Sequence, residues 1–107
     1  MALKAGFYET LSPTSVAVGI SAGNLTIPGA QYDRQQAQQA RVTVEISAIY
    51  YLLTGGDPVS GSPGTGHLLN VGDIMTIDGT NDVRNFRCVD KTGSGGAKVK
   101  VTTFFTP

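Results

Sequence analysis

Hydrophobic residues in this chain recur at every second position in short runs, and each run is broken by Gly, Pro, Asn or Asp. Val42, Val44 and Ile46 alternate with Thr43 and Glu45, the period of a strand with one buried face. Val16, Val18 and Ile20 repeat this spacing, as do Val99 and Val101, which alternate with Lys98 and Lys100. Residues 49–53 (IYYLL) are apolar on both faces, which predicts a strand that is central in its sheet or turns one face to a partner. Residues 67–69, 74–77, 83–89 and 97–105 complete the strand series, with turns at 21–24, 55–58, 70–73, 78–82 and 92–96. The Gly-, Pro- and Ser-rich stretch 57–66 is predicted to be a long mobile loop. Residues 30–40 hold helix formers with little apolar surface beyond alanine and are predicted as a short helical turn or an exposed loop.

About seven or eight short strands at this rhythm predict an all-β fold: a single antiparallel β-sandwich or a jelly-roll-like small barrel. Its expected core is Val42, Val44, Ile46, Leu52, Ile77, Phe86, Val99 and Val101. Pro13 interrupts the first stretch, so residues 1–14 are predicted as an N-terminal arm and 15–107 as the sandwich domain. Phe7, Tyr8 and Leu11 on that arm would be buried against a neighbouring subunit.

Charge changes the picture most. The 107 residues carry eight basic and eight acidic side chains, and charged residues are only 15 % of the chain against a usual value of roughly 25 %. A surface so weakly charged is poorly defended against association, which predicts a homo-oligomer, a trimer or larger. The scattered basic residues do not form the clustered patch that nucleic acid requires. No window approaches the apolar length of a membrane-spanning helix, and the N-terminal residues lack a signal-peptide run, so the chain is expected to be made in the cytoplasm. Cys88 has no partner for a disulfide and is expected to be a small buried hydrophobe.

Candidate chemistry is sparse. Residues 61–67 (GSPGTGH) superficially match a phosphate-binding loop, but His67 stands where its lysine is required and a strand follows. His67 is the sole imidazole, expected to be a hydrogen-bonded structural residue near a glycine turn. Asp78, Asn81 and Asp82 are spaced like oxygen ligands, yet lack the alternate ligand series and closing glutamate of a calcium loop. They are expected to cap a turn instead. No cofactor, metal site or catalytic set is predicted, and the chain is not expected to be an enzyme. The paired aromatics Phe104 and Phe105 point to opposite faces of a terminal strand, so one is expected at an interface, as is Tyr50 on the doubly apolar strand.

The succession Tyr51, Thr54-Gly55-Gly56-Asp57-Pro58, Gly66-His67-Leu68-Leu69, Gly72-Asp73, Ile77, Gly79, Val83, Asn85-Phe86-Arg87 and Val99-Val101-Thr102-Phe104 resembles small virion proteins of tailed bacteriophages. The resemblance covers roughly residues 48–105 and consists of turn and core positions; residues 1–47 carry none of it. It implies a structural protein of the phage particle, a capsid decoration or cement protein whose partner is the major capsid protein or another virion protein. A head-tail or tail accessory protein is the alternative of the same class. A carbohydrate-binding β-sandwich module is the alternative of another class, although the chain has no Trp to serve as a binding platform.

Overall fold

The alternating pattern folds as strands in nearly every place where it is clear. The computed structural model describes residues 4–20, 37–61 and 63–105, with the side chains of residues 4, 5, 7 and 105 outside that description. The strands are β1 (Lys4–Leu11), β2 (Val18–Gly19), β3 (Gln39–Glu45), β4 (Ile49–Leu52), β5 (His67–Leu69), β6 (Ile74–Asp78), β7 (Arg87–Asp90) and β8 (Lys98–Phe105), and a helix α1 (Thr80–Asn85) precedes β7. Residues 21–24 and most of the 30–40 segment lie outside the described residues.

Four antiparallel pairings follow one rule: β1 with β8, β2 with β7, β3 with β6 and β4 with β5. They form the ladder of one long hairpin whose two arms each contribute four strands. Rolling that hairpin up adds β3 beside β8 and β4 beside β7. The result is two four-stranded sheets, a first in the order β1-β8-β3-β6 and a second in the order β2-β7-β4-β5. This is the strand order of a jelly roll, arranged as a two-sheet sandwich and not as a closed barrel.

The core lies between the sheets. Leu11, Ala40, Val42, Val44, Ile77, Val99 and Val101 enter it from the first sheet, while Ile49 and Cys88 enter from the second. Phe86 and Val83 close one end, both fully buried. Their spacing of three fits the observed break in the strand predicted over 83–89: residues 83–85 end the helix, Phe86 is its extended C-cap, and the strand begins only at Arg87. One helical turn puts both side chains on the same inward face, which a strand would place on opposite sides. The helix starts at Gly79, whose φ of 97° no capping side chain accompanies, so Asp78 and Asn81 do not cap the turn as expected.

Two further expectations need correction. The first stretch is no free arm: its residues 4–11 form β1, which pairs along β8 from Lys4↔Phe105 to Leu11↔Val99 as an edge strand of the first sheet. Leu11 is buried, so it serves the core and not a neighbour. Ile46, predicted as core, is 69 % exposed because β3 ends at Glu45 and the chain reverses there. Leu52 is half-buried; the other six predicted core residues are buried.

Candidate functional site

The second face of β4 has an occupant within the chain. Alternation along β4 and β7 sends Ile49, Tyr51, Cys88 and Asp90 inward, and Tyr50 and Val89 outward. Val89 is nonetheless fully buried and Tyr50 only 9 % exposed, because residues 53–61 and 63–66 fold back along the outside of the second sheet. This strap is anchored repeatedly. Tyr50 Oη donates to Gly61 O at 3.1 Å, and Gly64 N donates to Tyr50 Oη at 3.4 Å. Val59 and Thr65 exchange two backbone hydrogen bonds, and Gly61 N reaches Lys91 O at 2.9 Å. At its start Arg87 Nε contacts Asp57 Oδ1 at 3.0 Å, a largely solvated ion pair that positions more than it stabilises. Only glycine fits at position 64, where a Cβ would stand 2.3 Å from Val59 O and 2.5 Å from the Tyr50 ring. The segment predicted as a mobile loop is therefore a packed strap, and Tyr50 is not an open interface residue.

The end of the sandwich where β3 hands over to β4 is different. Ser47 N donates to Glu45 O at 2.9 Å across Ile46, whose φ is 76°. That bond closes a γ-turn around a β-branched residue in a conformation that L side chains rarely adopt. Beside it lies the β5–β6 turn: Gly72 N donates to Val44 O at 2.9 Å and Val44 N to Asp73 O at 3.3 Å. Ile46, Val71 and Ile74 project from these adjoining segments at 69 %, 54 % and 68 % exposure. Lys91 N donates to Ala48 O, which joins the γ-turn to the β7–β8 connection, and Asp90 N donates to Thr14 O, which adds the β1–β2 connection carrying the exposed Val16.

Asp90 organises the β7–β8 connection from below. Its Oδ1 accepts from Thr92 N at 2.8 Å and Thr92 Oγ1 at 2.7 Å, and its Oδ2 accepts from Ala97 N at 2.7 Å. Burial pushes its carboxyl pKa upward, but the bonds from Thr92, Ala97 and Gly93 outweigh this and hold it below the ordinary 3.8. The carboxylate thus stays ionised and acts as the template of the turn.

The remaining polar candidates stand apart. His67 opens β5, exposed, with its ring 5.5 Å from that of Tyr51. Asp78 Oδ1 accepts from Gln39 Nε2 across the β3–β6 pair. Cys88 is buried in the core, and burial pushes its thiol pKa up to about 12 against the small opposing effect of Arg87, which leaves it protonated. Among the described residues, no three of His, Cys, Asp and Glu stand close enough to hold a metal ion.

Of the interface residues expected from sequence, Tyr8 is 61 % exposed on the outer face of the first sheet, and Phe104 is half-buried there. Leu11 and Tyr50 are buried. The backbones of Phe7 and Phe105 lie in β1 and β8, and their side chains are outside the described ones. Alternation does not place the exposed aliphatics of the turns. Val71 alone carried a signal, an aliphatic residue inside an Asn-Val-Gly-Asp turn.

No protein-family profile, no curated protein and no solved structure matches this chain.

Proposed function

We propose that this is a non-enzymatic structural protein of a bacteriophage particle, a decoration or cement protein that binds the outer shell and bridges capsid subunits. The observation that carries the reading is the apolar end. A chain of net charge zero holds Val16, Ile46, Val71 and Ile74 more than half exposed, with Val59 on the strap exposed as well, while Tyr50 and Val89 on the outer face of the second sheet are covered. Exposed aliphatics grouped at one end suit a protein whose surface is completed by assembly. The resemblance of residues 48–105 to small phage virion proteins names the class of assembly. Attachment to the shell is assigned to the first sheet, where β1 is an eight-residue edge strand and Tyr8 stands out from the adjoining face. An edge of that length offers a row of backbone donors and acceptors that a capsid segment can extend.

Density-banded particles from a bacterium carrying this gene should contain the chain in a fixed ratio to the major capsid protein, read by quantitative mass spectrometry. Intact particles without it would overturn the reading. Binding to a defined sugar on a glycan array, together with that absence, would favour a carbohydrate-binding module.

A further inference from the structure

We propose that the shell segment which extends the edge of β1 is acidic at alternate residues, its carboxylates meeting Lys98 and Lys100. The inference rests on the virion reading and names the chemistry of the partner at that edge.

The geometry starts from β8. Lys98 and Lys100 alternate with the buried Val99 and Val101, so both lysines stand on the outer face of the first sheet. Both then lean toward β1. Lys98 Nζ donates to Ser12 Oγ at 3.0 Å, and Lys100 Nζ donates to Thr10 Oγ1 at 3.3 Å. Thr10 and Ser12 are exposed, and among the described residues no strand pairs with β1 on its far side. Two ammonium groups therefore lie nearer the open edge than their own backbones, held by neutral hydroxyls that leave their charge uncancelled.

Negative charge on this sheet is placed elsewhere. Glu9 pairs with the buried Val101 and so turns to the other face of the sheet. Glu45 faces Lys98 from β3, and Asp78 lies on β6, where it accepts from Gln39 Nε2. Both acids are on the side of β8 away from β1. Arg41, opposite Thr102 on β3, adds a third cation to the face.

Backbone and charge together select the partner. An open strand edge is matched by the N–H and C=O groups of another polypeptide, and a nucleic acid carries no such row. A strand added there sets its side chains directly opposite those of β1, with Cβ atoms about 4.5–5.5 Å apart. Residues opposite Thr10 and Ser12 would share the outer face two positions apart, each beside an ammonium. Asp or Glu at both positions supplies the complement, whereas Lys or Arg would be repelled. Opposite Tyr8, which is 61 % exposed, an apolar side chain fits. Solvated ion pairs add little affinity, so the backbone ladder and Tyr8 hold the segment while the lysines choose it and set its register.

The test is binding of the purified full chain to phage particles that lack it, measured by cosedimentation. The double variant Lys98→Gln/Lys100→Gln should bind at least about tenfold more weakly than the wild type. Arg84→Gln, on the helix that follows β6, should bind like the wild type. Raising NaCl from about 0.05 to 0.5 M should weaken the wild type more than the double variant. On the particle, amide hydrogen exchange in residues 8–11 should slow. Equal binding by the double variant, a wild type insensitive to salt, or unchanged exchange in β1 would each overturn the proposal. The salt and exchange measurements on the wild type hold even if the double variant folds poorly. Particles that take up no wild-type chain overturn the virion reading and this inference with it, whereas uptake without these signatures overturns this inference alone.

Discussion

Replacing Phe86 with alanine is expected to lower stability by about 3–5 kcal/mol, the range for truncating a fully buried aromatic. Phe86 links α1 to β7 and has no exposed surface. Its ring stacks on Tyr51 at a centroid distance of 6.0 Å and an interplanar angle of 25°. Gly19 packs so closely against its carbonyl that a Cβ there would lie 3.0 Å from the oxygen, so the backbone around Phe86 has little room to collapse into the cavity. A domain of this size holds only about 5–15 kcal/mol in total, so the variant should sit near the edge of folding. Denaturant unfolding should show the midpoint falling with the slope unchanged. A loss below about 1 kcal/mol would mean that the ring does not fill the space between the sheets.

Asp90→Ala is expected to cost about 3 kcal/mol at neutral pH, because it removes a charged acceptor and strands the buried N–H of Ala97. The N–H of Ala97 would lose its partner just before β8, and the turn would lose the bonds from the N–H and hydroxyl of the more exposed Thr92, whose hydroxyl keeps its contact with Ser94 Oγ. The pH dependence has a defined sign. The folded-state pKa of Asp90 is depressed below 3.8, so its contribution is fully present above the unfolded value and is lost as pH falls through the lower folded value. The stability gap between wild type and Asp90→Ala should therefore be flat from neutral pH down to about 5 and narrow below about 4. Chemical unfolding of both proteins at a series of pH values reads this directly. A gap that is unchanged at the acid end would assign the effect to lost packing and not to the ionised acceptor.

The strands with one buried face were legible because alternation is a direct consequence of the pleat: Val42 and Val44 in β3, and Val99 and Val101 in β8, are buried where the period puts them. The same rule misplaced Ile46. Its spacing continues that of Val42 and Val44, but the strand stops one residue earlier, and a γ-turn leaves no trace in hydrophobic period. The short helix was hidden because a spacing of three between Val83 and Phe86 also fits a run of mixed strand residues. The strap could not be read from composition. Gly, Pro and Ser in residues 57–66 signal irregular backbone, and whether such backbone waves or packs depends on Tyr50 and Val89, which lie in other strands. The doubly apolar strand did give the correct clue, since β4 lies inside its sheet and both its faces are covered, one by the core and the other by the chain's own strap. Asp90 was passed over for the same reason as Tyr50: its role lies in backbone amides brought to it by the fold.

The virion assignment is tested most directly by the heat stability of particles. Phage particles that lack this chain, made by deleting its gene, should release their DNA at a lower temperature than complete ones, and purified protein added to them should restore the difference, because a ligand of the assembled shell stabilises it by mass action. Particles that release DNA at the same temperature with the chain, without it and after its addition would contradict the account.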